Sequence, residues 1–278
     1  MNNHEVVRRF YARFVTAQGE VVDARIVDAF ASIKRERFVG PGPWQIRTSN
    51  GYMATETADP IVLYQDSVVA LAPDRRINNG QPSLHARCIE AAKPKMGDVV
   101  IHVGAGTGYY TAILAYLVGA KGRVHAYEIE SDIAARANKC LADIATVVVH
   151  AQSAVEAQLP AADVIYVNAG ATHVPSEWLD TLAPGGRLVL PLTPNERVGC
   201  MLLITRQSER AYAARIFCAA AFIPCVGARN DDQSRAIAEA LDTRSTSEVR
   251  SLRRVGEPDE TAWCVGTGWW LSNAEPKE

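Results

Sequence analysis

Apolar side chains recur at three- and four-residue steps near the N-terminus, first at Val6, Val7, Phe10, Tyr11 and Phe14, then at Val22, Ile26, Val27, Phe30 and Ile33. This period aligns each set along one helix face and predicts two amphipathic helices. The rhythm stops at GPGPW, Gly40 to Trp44, and from there to about Gly80 turn-forming residues outnumber periodic ones. An irregular, loop-dominated segment is expected there.

Regular patterning resumes near Ser83 with a helical stretch. DVVIHV, Asp98 to Val103, is the continuous apolar run of a strand covered on both faces. Helix and strand signals then alternate: a helix from Thr107, a strand at Val124 to Tyr127, a helix from Asp132, and strands at Val147 to His150, Val164 to Asn168 and Leu188 to Pro191. Such alternation predicts an α/β fold with a parallel, doubly wound sheet. Met201 to Thr205 and Tyr212 to Phe217, with little between them, suit an antiparallel hairpin closing it. Beyond Asn230 come a short helix near Ser234 to Leu241, a basic polar stretch, and WCVGTGWWLS. That run is expected as a strand with aromatic packing, since Trp263, Trp269 and Trp270 are costly to leave in water.

Composition narrows the class. With 278 residues, 48 % hydrophobic and 22 % charged, the chain can bury a large core. A net charge of −2 supplies no general basic field for a phosphate backbone, so a nucleic-acid partner is not expected. Local patches at Lys34, Arg35 and Arg37, or at Arg250, Arg253 and Arg254, read as solvated surface. The six cysteines show no CxxC spacing and the six histidines no HExxH, so no metal site is expected. Neither a signal-like N-terminus nor a long apolar run is present, which points to a soluble, cytoplasmic protein.

The chemistry-bearing feature is Gly104-Ala105-Gly106-Thr107-Gly108-Tyr109, between the first buried strand and the next helix. Glycines there let the backbone bend sharply and let a ligand lie against the helix N-terminus. Dinucleotide sites require G-x-G-x-x-G, whereas here the spacing is G-x-G-x-G and Tyr109 takes the third place, which disfavours NAD. Glu128 ends the following strand, about twenty residues on, where a carboxylate can accept from both ribose hydroxyls. An adenosine-bearing ligand without a pyrophosphate fits this arrangement.

IHVGAGTGYYTAILA, Ile101 to Ala115, together with LAPGGRLVLPL, Leu182 to Leu192, resembles the protein-L-isoaspartate O-methyltransferases, a family of class I S-adenosylmethionine-dependent enzymes. KRERFVG, Lys34 to Gly40, resembles the segment that precedes the family's irregular substrate loop. The resemblance implies a seven-stranded, mostly parallel Rossmann-like sheet with N-terminal helices and a small C-terminal extension. The implied regions are 1–82, covering the substrate; 83–220, the S-adenosylmethionine-binding core; and 221–278, the extension. It implies Gly104 to Tyr109, Glu128, Ile129, Gln152, Ser153, Asn168 and His85 as cofactor-binding residues. Gln152 or Ser153 stands where related enzymes carry an acid for the adenine amino group, and Asn168 at the strand ends could touch cofactor or acceptor. His102, where the family often has an acid, reads as a packed core histidine.

In the family a Thr-Ile-Ser stretch presents the substrate, and here Asn78-Asn79-Gly80 replaces it, so the serine becomes glycine. The catalytic candidates are Asn79, Gly80, His85 and Asp66. Methyl transfer from a sulfonium is an in-line displacement, so alignment and water exclusion are the enzyme's chief tasks. A carboxylate acceptor needs no general base, whereas an amine or hydroxyl would need a proton sink, for which His85 and Asp66 are available. The expected activity is methyl transfer to a carboxylate of a protein, peptide or small molecule. The alternatives are retargeting to an amine, hydroxyl or nucleobase, or a non-catalytic cofactor-binding module. A monomer and a homodimer both remain open.

Overall fold

The computed structural model describes residues 3–195 and 197–277; the outermost positions of the expected first and last regions lie outside the described residues. The two N-terminal helices form as the apolar steps require: α1 (Asn3–Gln18) and α2 (Ala24–Ser32), the latter capped by the Asp23 carboxylate accepting from the Arg25 N–H. A short α3 (Glu36–Val39) leads into the irregular segment, which is threaded with two small hairpins, β1 (Gln45–Thr48) with β2 (Gly51–Ala54) and β3 (Ala70–Ala72) with β4 (Ile77–Asn78). There follow α4 (Pro82–Ala92), β5 (Val99–Val103), α5 (Tyr109–Val118), β6 (Arg123–Tyr127), α6 (Ser131–Leu141) and β7 (Val147–His150). Next come β8 (Ala162–Val167), α7 (Ser176–Thr181), β9 (Leu182–Leu192), β10 (Gly199–Arg206), β11 (Tyr212–Ala220) and α8 (Asp231–Thr243). The chain closes with β12 (Ser251–Arg253), β13 (Ala262–Gly266) and β14 (Trp269–Ser272).

The chain divides into two compact units, residues 1–98 with 105–152 and residues 99–104 with 153–278. In the first, Phe30 of α2 meets Tyr109 of α5 edge-on at 6.1 Å, and Tyr11 of α1 meets Tyr64 at 5.5 Å. The irregular segment has its own apolar cluster of Val39, Trp44, Ile46, Leu63, Val69 and Leu71, which fixes loops that local pattern leaves undetermined. Strands β6 and β7 pair in parallel in this unit.

Among the described residues, the second unit is built on strands in the order β13-β14-β12-β11-β10-β9-β8-β5. Strands β5, β8 and β9 run parallel, and β10 to β14 continue antiparallel. The expected hairpin after Met201 is β10 and β11. WCVGTGWWLS departs from the expected single strand: it is a hairpin, turning at Thr267-Gly268, where Gly268 has φ +75°. The two-residue turn separates two short apolar runs, and the alternation on each side was too brief to show it. Trp263, Trp269 and Trp270 are all buried, as their apolar area requires.

Candidate active site

The glycine turn after β5 is organised by a carboxylate. Glu128, which follows β6, is only 7 % exposed; its Oε2 accepts from the Gly106 N–H at 2.7 Å and its Oε1 from the Glu130 N–H at 3.0 Å. Burial pushes this carboxyl above the usual range, while the Glu130 and Gly106 amides pull the other way. A carboxylate offers about four lone-pair sites, so these two bonds leave acceptor capacity free. The turn is tied further by Ala105 N–H donating to Tyr127 O at 3.0 Å and Gly108 N–H donating to Ala105 O at 3.0 Å. Gly106 and Gly108 hold φ of +57° and +97°, the left-handed region that side chains avoid.

Thr107 turns its hydroxyl to the Phe38 carbonyl, which ties the turn to the helix ending KRERFVG. The Tyr109 ring packs among Phe30, Phe38 and Tyr11, so this residue brings its backbone to the turn while its side chain serves the core. Ile129, beside Glu128, is 46 % exposed, an apolar surface next to the carboxylate. Gln152 is exposed in the loop after β7.

The Asn79, Gly80, His85 and Asp66 set is brought together in the same unit. Asn79 accepts from the Val69 N–H through Oδ1 at 2.8 Å, and its buried Nδ2 has no partner among the described residues. Gly80 holds φ +71°, and a Cβ there would lie 2.1 Å from Nε2 of His85. The imidazole of His85 is therefore where a larger residue at position 80 would project. It is 2 % exposed and stacked on Tyr110, with ring centres 3.7 Å apart and planes 15° from parallel. Asp66 is spent as a remote cap of α4: it accepts from the Ser83 N–H at 2.8 Å, the Ser83 hydroxyl at 2.6 Å and the Gln81 amide at 2.9 Å. Three donors at a helix start occupy most of the acceptor capacity of this carboxylate.

In the second unit, Gly104 (φ +70°) closes β5, and Asn168 follows β8. His102, wholly buried, meets Asn168 Nδ2 through Nε2 at 2.6 Å, and burial drives its pKa down to about 3. The imidazole is neutral, so Nε2 accepts and the Asn168 amide donates. Asn168 Oδ1 is buried without a partner among the described residues, an acceptor waiting for a donor. Ser153 Oγ accepts from the Val155 N–H at 3.2 Å and shapes the local turn.

The burial of Arg35 leaves no mark in the residue pattern. In place of a solvated patch with Lys34 and Arg37, Arg35 is fully buried, donating to the carbonyls of Leu63, Gln65 and Ser67. It pins the loop that carries Asp66. Arg37 pairs with Asp143, Arg254 with Asp180, and Arg253 lies 4.8 Å over the Trp270 ring. These cations serve internal contacts, and the charged neighbours Lys34 and Glu36 gave no sign that Arg35 is buried.

Residues 11–230 match the sequence model of the family Protein-L-isoaspartate(D-aspartate) O-methyltransferase. The chain belongs to this family. A protein-L-isoaspartate O-methyltransferase of Ignicoccus hospitalis is 29 % identical over 226 residues, covering 80 % of this chain and 98 % of its own. One from Anaeromyxobacter dehalogenans is 32 % identical over 192 residues, covering 67 % and 82 %. Among solved structures, a protein-L-isoaspartate O-methyltransferase superposes with TM-score 0.67 at 24 % identity, over 84 % of this chain and 69 % of that one. A Plasmodium falciparum protein described as a putative member, solved with S-adenosyl-L-homocysteine, gives 0.63 at 18 %, over 81 % and 99 %. The fold is the Rossmann-like class I methyltransferase fold, and the chain is an S-adenosylmethionine-dependent methyltransferase. No described helix is long and apolar enough to cross a membrane.

Proposed function

We propose that this enzyme methylates a carboxylate of a protein or peptide, of the isoaspartyl type, in the cytoplasm. The observation that carries this reading is the state of Asp66. Asp66, the acid available as a proton sink, already holds three donors, and the stacked, buried His85 is the other titratable candidate. An acceptor that arrives as a carboxylate asks for no proton sink, and this set fits that demand.

The cofactor residues are read in the same way. The turn at Ala105 to Gly108 would lie against S-adenosylmethionine, with Glu128 accepting from its ribose hydroxyls, Ile129 against the adenine, and Gln152 at the adenine edge. Bound there, the sulfonium supplies an activated methyl group for direct displacement. Asn168 Oδ1, held open by His102, suits an ammonium donor. Asn79 Nδ2, a buried donor without a partner among the described residues, suits an acceptor carboxylate oxygen.

The test is transfer from labelled S-adenosylmethionine to an isoaspartyl peptide, with the aspartyl twin as control. Transfer to the isoaspartyl peptide alone supports the reading. No transfer to either, with S-adenosylhomocysteine still bound, would overturn the carboxylate assignment and leave an amine or hydroxyl acceptor.

A further inference from the structure

A cleft of about 410 Å³ opens within the second unit, lined by residues of the loop before α7, the start of α8 and the β13–β14 turn. Its size is that of a small-molecule site. Gln233, Arg254, Thr267 and Trp269, which line part of it, lie beyond residue 230, where the family match ends. The C-terminal extension therefore builds a wall that the family pattern does not account for.

Arg229 is the dominant charge. Its Nη1 donates to Gly170 O at 2.6 Å and to Thr193 Oγ1 at 3.4 Å, and its Nη2 donates to Asn195 Oδ1. All three acceptors are neutral, and among the described residues none of the ion pairs includes Arg229. Asp231, which acts on it through space, instead accepts from Asn195 Nδ2 at 2.9 Å. Burial lowers the guanidinium's pKa, while Cys225 and Asp231 act the other way. Arg254, by contrast, is neutralised by Asp180 at 2.5 and 3.2 Å.

The rest of the lining selects the anion. Val174, Leu179 and Trp269 are buried apolar surfaces, while the exposed Glu177 puts a negative charge on the lining. One uncompensated cation, apolar walls and one acid suit a single carboxylate on an apolar body and oppose a polyanion. We propose that this cleft binds a monocarboxylate with an aromatic or branched apolar group, its carboxylate on Arg229. The ligand could be a free organic acid or a peptide's C-terminal residue, which share this chemistry. The proposal rests on no feature of methyl transfer.

Calorimetric titration of the full-length protein with 3-phenylpropionate, with a tetrapeptide ending in a free phenylalanine, and with the amide of each tests it. Saturable binding of a carboxylate form, at least roughly tenfold tighter than its amide, is expected. The stronger of the two acids identifies the source. Arg229→Gln should weaken binding at least roughly tenfold. Because Arg229 also holds neighbouring backbone, Ser176→Trp serves as a second variant that fills the cleft from an exposed position and leaves the Arg229 bonds intact. It should abolish binding with the melting curve unchanged. Equal binding of acid and amide, no saturable binding at millimolar concentration, or undiminished binding in both variants would overturn the proposal.

Discussion

Replacing Gly80 by alanine tests the closest approach in the candidate site. Two costs are separable. The backbone at φ +71° puts any Cβ in the left-handed region, a cost of roughly 1–2 kcal/mol. The new carbon would also stand 2.1 Å from His85 Nε2, so the imidazole must leave its stack on Tyr110. Losing an aromatic stack of that kind costs about 0.5–1.5 kcal/mol. The lower entropy of the unfolded alanine chain returns up to about 1 kcal/mol, equally in any background. Gly80→Ala should therefore destabilise the wild type by about 1–3 kcal/mol and a His85→Ala background by about 1 kcal/mol less, read from urea midpoints in a double-mutant cycle. Additive costs in the two backgrounds would refute the reasoning, since the imidazole would then not be what excludes the side chain. The same geometry predicts that Gly80→Ser, which restores the family residue, lowers rather than raises methyl transfer.

Other predictions follow from the same contacts. Glu128→Ala should weaken S-adenosylhomocysteine binding by at least roughly tenfold, because a buried charged acceptor and its hold on the turn are lost together; unchanged affinity by calorimetry would remove Glu128 from the site. His102 should make the protein acid-sensitive. Its folded pKa is depressed to about 3 against 6.5 unfolded, so the unfolded chain takes up the proton first and stability drains as pH falls below 6.5. Between pH 7 and pH 5 this single group accounts for a loss of about 2 kcal/mol, and His102→Leu should flatten that part of the pH profile. Arg35→Met should cost roughly 2–5 kcal/mol by taking the Arg35 donor from Ser67 O and one of two donors from each of Leu63 O and Gln65 O, with early proteolytic cutting in the 60–67 loop as the local signature.

Much of the core was legible because its signals are local. DVVIHV is apolar at Val99, Val100, Ile101 and Val103 since both of its faces are covered, and β5 forms within it. The G-x-G-x-G spacing and the carboxylate after the next strand were visible because a turn at positive φ leaves glycine few substitutes. The irregular segment was harder. Its order comes from six apolar residues spread over Val39 to Leu71, a cluster with no period to read.

What the sequence by itself determined was the α/β alternation, the glycine turn, the carboxylate opposite it and the family, since each depends on residues whose spacing is set by a strand, a helix turn or a backbone torsion. Tertiary structure alone decided the rest. It buried Arg35 rather than exposing it, committed Asp66 to capping α4, filled the space above Gly80 with His85, and left Arg229 uncompensated in a cleft walled by the C-terminal strands. Those assignments join residues 5 to 59 positions apart, and the free energy that fixes them comes from desolvation and partner geometry, which do not exist until the chain has closed on itself.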